Sequence, residues 1–158
     1  MFCEGSVPTG AKGGTEYTFK IRKDVKFHDG TPLTAHDVKA TFDKIIFPPK
    51  GVPSSRKAFF MMVDSVTAPD DYTVVFTLKF SPSGAFIPSV ATPFNFIYSK
   101  KDLDTHGYEW HKKNVNGSGA YKFVEHIPAS TWPACAMTAT TTRENLIWMD
   151  SKPFPHQK

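Results

Sequence analysis

Tyr17-Thr18-Phe19-Lys20-Ile21-Arg22 and, shortly after it, Val25-Lys26-Phe27-His28-Asp29-Gly30-Thr31-Pro32-Leu33-Thr34-Ala35-His36-Asp37-Val38 decide the fold of this chain. In the first run apolar Tyr17, Phe19 and Ile21 alternate with Thr18, Lys20 and Arg22, the period-two pattern of a strand with one dry and one wet face. Val25 and Phe27 are expected to continue it after a break at Lys23-Asp24. Asp29-Gly30 then supplies a turn, because glycine tolerates positive φ, and Pro32 keeps the strand from resuming. A helix is expected to follow, with Thr34 as N-cap, Asp37 closing a capping box and Leu33 packing on Val38 as a staple. Val38, Phe42 and Ile45 fall on one helical face, and Pro48-Pro49 stops the helix.

Downstream, Pro53, Ser54 and Ser55 form a polar loop, and Arg56 to Met62 reads as a short helix whose Phe59, Phe60, Met61 and Met62 fill the core or a neighbouring lobe. Val63 to Ala68 and the run Tyr72, Val74, Phe76, Leu78, Phe80 read as two strands joined at Pro69-Asp70-Asp71, hence a hairpin. A short helix is expected over 83–90, a strand over Phe94 to Ser99, and a helical turn from Lys100 to Thr105 before Gly107. Asn116-Gly117-Ser118-Gly119 is a glycine-rich turn leading into a last strand at Tyr121, Phe123 and Glu125. Residues 1–14, rich in Gly, Ser, Pro and Thr without periodicity, read as a flexible lead. The class is α+β, a small mixed sheet with a few short helices.

The 158 residues suffice for one domain with a core. A net charge of +4 comes from scattered Lys and Arg with no recognition motif, which argues against nucleic acid as a partner. Cys3 and Cys135 have neither metal-ligand nor redox spacing. No apolar run is long enough to span a bilayer, and Met1-Phe2-Cys3-Glu4 lacks the charged and apolar regions of a signal peptide, so the chain as written is expected to stay in the cytoplasm.

Candidate chemistry is sparse. His106, Glu109 and His111 invite a metal-dependent enzyme, yet their spacing is not the i, i+4 histidine pair of zinc hydrolases and Gly107 argues against a regular helix there. His28-Asp29 could mimic a dyad, but adjacent residues on a strand face opposite ways, and His36-Asp37 is explained by capping. Gly117-Ser118-Gly119 is too short for a phosphate loop, and neither Ser118 nor Cys135 has an identifiable base. No catalytic residue, cofactor or metal is therefore assigned. A further alternative is a stand-alone interaction module using exposed Phe59, Phe60, Met61 and Met62.

The stretch from Tyr17 to Val38 closely resembles the signature of solute-binding protein family 5. Val66-Thr67-Ala68-Pro69-Asp70-Asp71-Tyr72-Thr73-Val74 resembles that family's central hairpin. Asn116-Gly117-Ser118-Gly119-Ala120-Tyr121-Lys122-Phe123 resembles its Asn-Gly-Thr-Gly-Pro-Tyr turn and strand, with Ser118 and Ala120 as departures. The resemblance implies the satellite subdomain of the first lobe of a two-lobed binding protein several times longer. It implies a peptide, nickel chelate or similar solute and an ABC permease as partners of that parent, no cofactor, and a periplasmic or extracellular location. It also implies an N-terminal signal that this sequence does not contain, and places Phe94, Asn95 and Phe96 toward the solute cleft. Residues 15–132 are then a partial family domain, without the second lobe that supplies most solute contacts.

After Ser130-Thr131-Trp132 the resemblance stops, where the family continues with Arg-Asn, an aromatic pair, Glu-Gly and Pro-Tyr-Leu-Asp-Gly. Codons built from the last base of one residue and the first two of the next allow that continuation. Cys135 into Ala136 permits Arg, Ala136 into Met137 permits Asn, and Thr142 through Trp148 permit Glu-Gly-Lys-Pro-Tyr-Leu. Trp148 into Met149 must give Asp, and Met149 into Asp150 must give Gly. Residues 133–158 therefore read as a tail translated in a shifted frame, expected to be a loose segment.

Overall fold

The computed structural model describes residues 3–4, 10–51, 53–81, 84–127 and 134–139. Its main sheet has four strands, β1 (Cys3–Glu4), β2 (Glu16–Ile21), β3 (Val63–Asp70) and β4 (Thr73–Leu78), in the order β1-β2-β4-β3. The α+β class is as expected, and each pairing in the small sheet is antiparallel. Helix α1 (Ala35–Ile46) follows β2 in the chain and packs on β3 and β4.

The alternation in β2 and β4 places the core. Tyr17 and Ile21 are buried on β2, and Val74, Phe76 and Leu78 are buried on β4, with Tyr17 opposite Phe76 and Phe19 opposite Val74. Phe76 is the hub. Its ring meets Phe42 of α1 edge-on at 5.0 Å, Phe19 edge-on at 5.5 Å, and Phe86 at 5.3 Å. Such edge-to-face contacts add to the free energy of burying the rings. Phe86 opens the short helix α2 (Phe86–Val90), and Phe60, on the 3₁₀ turn Lys57–Phe60, closes the cluster against Phe42 at 5.6 Å. The expected helix over 56–62 is thus a single tight turn, and it splits its apolar residues. Phe60 is buried, whereas Phe59 and Met61 are exposed.

Val25 and Phe27 do not extend β2. One bridge, Lys26 to Pro32, replaces a ladder, because Gly30 turns the chain at φ 87° and Phe27 donates its N–H back to Thr31 O. Phe27 and Leu33 are nonetheless buried, as is Val38, the staple partner of Leu33. The capping box forms. The Thr34 N–H and hydroxyl both donate to Asp37 Oδ2 at 2.8 Å.

Three expectations need correction. Residues 94–99 form no strand; Asn95 N–H turns back to Thr92 O and Tyr98 N–H goes to the Thr41 hydroxyl oxygen, so these two donors are used up outside any ladder. Helix α3 (Lys100–Trp110) is two helical runs joined at Gly107, whose φ 71°, ψ −170° ends the first as expected, and the correction is that helical turns resume beyond it. The 1–14 lead is not wholly apart from the fold, since Cys3–Glu4 pair with Ile21 and Lys20 and Ala11 bridges Glu16. Residues 5–9 lie outside the described residues.

A second sheet pairs β5 (Tyr121–Ile127) with β6 (Ala134–Ala139) in antiparallel register. The loose segment expected for 133–158 therefore does not describe Ala134–Ala139, whose backbone satisfies the exposed edge of β5. The rest of that stretch lies outside the described residues.

Candidate functional site

The family-like motifs meet in space. His28 N–H donates to Gly117 O at 2.8 Å, and His28 Nε2 lies 2.9 Å from Gly119 O, so the turn at Asp29-Gly30 is docked on the Asn116–Gly119 turn across some ninety residues of sequence. A Cβ on Gly117 would stand 3.4 Å from the His28 ring, in van der Waals contact with it. Asp29 Oδ1 accepts the Thr31 N–H at 3.0 Å and the Thr31 hydroxyl at 2.6 Å. Burial pushes the Asp29 carboxyl up, but hydrogen bonds from Thr31 and Asn116 outweigh it and hold the group below its ordinary value. His28-Asp29 and Gly117-Ser118-Gly119 are thereby accounted for as a structural joint.

Asp37 is a second joint. Besides capping α1 it accepts the Lys100 N–H at 2.7 Å through Oδ1, fixing the start of α3 on the start of α1. Thr41, fully buried, donates to Asp37 O at 2.8 Å and accepts from Tyr98 N–H at 2.9 Å. Buried Asp102 accepts from the Asn116 amide at 2.7 Å, which ties α3 to the glycine-rich turn. His36 faces Asp71 at 3.2 Å on the surface.

His106, Glu109 and His111 do not converge. His106 stacks on Trp110 at 4.8 Å, Glu109 pairs with Lys112 at 2.6 Å, and His111 turns edge-on to Tyr98 at 4.8 Å. Burial, aided by the Lys44 ammonium, holds the His111 imidazole below its ordinary pKa. Among the described residues no group of three His, Cys, Asp or Glu is placed to hold a metal ion. Ser118 lies within the joint described above, and Cys135 lies on β6, where only the backbone is described.

Phe94, Asn95 and Phe96 lie on the loop between α2 and α3. Phe94 and Phe96 are 65% and 63% exposed, while the Asn95 amide is anchored, donating to Ser89 O at 2.8 Å and Val90 O at 3.0 Å. The Arg56 guanidinium donates to Phe94 O. Arg56 also lines an open cleft with Lys44, Ile45, Pro53, Ser54, Ser55 and Tyr98, whose volume is about 90 Å³. The cleft was not legible in the sequence, since Lys44, Arg56 and Tyr98 come together only through the tertiary fold. A drug-sized solute site needs roughly 300–1,000 Å³, so this cleft does not hold a peptide.

The family model described as bacterial extracellular solute-binding proteins, family 5 Middle, matches residues 6–132. The glutathione-binding protein GsiB of Pectobacterium atrosepticum is 38% identical over 111 residues, covering 70% of this chain and 21% of its own length. The crystal structure of the oligopeptide-binding protein AppA of Bacillus subtilis, in complex with a nonapeptide, is 31% identical with a TM-score of 0.61, covering 79% of this chain and 25% of that one. The structure of HbpA2 from Haemophilus parasuis gives a TM-score of 0.69 at 27% identity, over 87% of this chain and 30% of that one. The chain thus spans about a fifth of the length of the curated relatives it matches.

Proposed function

The chain belongs to the bacterial extracellular solute-binding proteins of family 5, and from that membership we propose that it is part of a protein that captures a peptide or similar small solute outside the cytoplasmic membrane and hands it to an ABC-type permease. The observation that carries this reading is the match over residues 6–132 together with relatives named for binding glutathione and oligopeptides. Capture is by enclosure between lobes, because one face alone cannot desolvate a solute. The chain acts as a binding component and not as an enzyme.

Within this reading Phe94, Asn95 and Phe96 are the contribution of this chain to the solute cleft. Support comes from two exposed rings flanking an asparagine whose amide is pinned to the end of α2, which presents both rings on a fixed backbone at little further loss of freedom. The tail after Trp132 is read as a frame-shifted continuation; the family match ending at residue 132 supports it. Resequencing the encoding DNA checks that reading. One inserted or deleted base near the Trp132 codon, restoring Arg-Asn and Pro-Tyr-Leu-Asp-Gly, is expected, and an intact frame would refute it.

The functional test uses the intact product of the same locus. Titrating it calorimetrically with di- to pentapeptides and glutathione should give saturable binding to at least one, weakened about tenfold or more by Phe94→Ala or Phe96→Ala, the loss expected of a well-packed aromatic contact. No binding to any of these solutes would sink the peptide reading.

A further inference from the structure

The open cleft between the end of α1, the Pro53–Arg56 loop and Tyr98 has the wrong charge for an empty surface feature. Two cations, Lys44 and Arg56, line it. The ion pairs among the described residues are Lys12–Glu16, Arg22–Asp24, His36–Asp71, Lys39–Asp43, Lys100–Asp104 and Lys112–Glu109, and none involves either cation. The Lys44 ammonium is instead held over the ring faces of Tyr98, at 4.0 Å, and Tyr108, at 4.9 Å. That contact fixes its position without neutralising it. Arg56 is oriented by its bond to Phe94 O, which engages one guanidinium nitrogen and leaves other N–H groups to donate. Burial and the neighbouring Arg56 charge together lower the proton affinity of Lys44. Ser54, at the cleft wall, is locked by donating to Ile45 O at 2.6 Å.

We propose that this cleft is a binding site for a small oxyanion, a carboxylate or a phosphate, clamped between the Arg56 guanidinium and the Lys44 ammonium. The size fits. The volume of about 90 Å³ is well above the roughly 10–15 Å³ that a single water needs by the same measure. The chemistry fits as well, since a guanidinium presents parallel N–H donors to two oxygens of such an anion while the ammonium acts as a point charge. The bound anion also braces the Pro53–Arg56 loop against α1, and through Phe94 O it steadies the 94–96 loop. Anion binding here is measured without any solute present, so the site stands or falls separately from solute capture.

The test is a titration of the full chain at constant ionic strength, with sodium phosphate in one arm and sodium acetate in the other, each against sodium chloride. The readouts are calorimetry and the NMR shifts of the Tyr98 ring and the Lys44 ammonium. Saturable shifts at millimolar anion are expected in at least one arm; saturation by phosphate alone assigns a phosphoryl ligand, and saturation by acetate alone a carboxylate. Lys44→Met and Arg56→Met should each weaken binding at least tenfold. Lys39→Met, the same charge change on α1 at a lysine already paired with Asp43, should leave it unchanged. Shifts in the unsubstituted chain that only track chloride, or binding equally weakened by Lys39→Met, would overturn the site.

Discussion

The rings around Phe76 and the rings at Phe94 and Phe96 are the same side chain in opposite surroundings. Phe76 is 1% exposed and touches Phe19, Phe42 and Phe86, each contributed by a different element of this chain. Phe94 and Phe96 sit on a loop whose backbone is tightly held, yet most of each ring faces outward. The first group explains how the chain folds. The second adds little to the packing, and under the proposed function its exposed rings are surface kept for a ligand or for another part of the parent. Under that proposal stability and function separate along the chain, and the separation can be attacked by substitution.

The largest expected effect is at the hub. Phe76→Ala should destabilise the chain by about 3–5 kcal/mol in chemical denaturation, enough to unfold a marginal domain. Asp37→Ala comes next, at about 2 kcal/mol, because it removes the α1 cap and leaves the Lys100 N–H without its acceptor. A loss under about 0.5 kcal/mol would show that α3 is not held through this carboxylate.

A smaller effect appears with pH. The His111 imidazole has a folded pKa below its ordinary 6.5, so the unfolded chain takes up the proton first. The contribution of neutral His111 is complete above about 6.5 and is lost as pH falls from there through the folded pKa. Denaturation midpoints should therefore decline below pH 6.5, and His111→Gln should flatten part of that decline; an unchanged slope would deny the burial of this ring against Tyr98. Smallest of all, Phe94→Ala and Phe96→Ala should change the stability of this chain by no more than about 0.5 kcal/mol, in contrast to their effect on solute binding by the parent. A larger loss of stability would erase the distinction between the two sets of rings.

Much of the folding half was legible in the sequence. Alternation at Tyr17 to Ile21 and Val74 to Leu78, the box at Thr34 and Asp37, and the punctuation at Gly30 and Pro48 are local signals, and local backbone preference decided those elements. The 94–99 segment misled because its apolar alternation at Phe94, Phe96 and Tyr98 mimics a strand, while the hydrogen bonds that hold it go to Thr41 and Arg56, more than thirty residues away. The docking of His28 on Gly117 and the gathering of Lys44, Arg56 and Tyr98 are likewise long-range, so no periodicity announced them.

The most direct measurement is a calorimetric titration of the purified 158-residue chain with a tripeptide and with glutathione, beside the intact product of the locus. The chain alone is predicted to show no saturable binding up to millimolar solute while the intact protein binds. Micromolar binding by the chain alone would contradict the claim that capture requires enclosure by a second lobe.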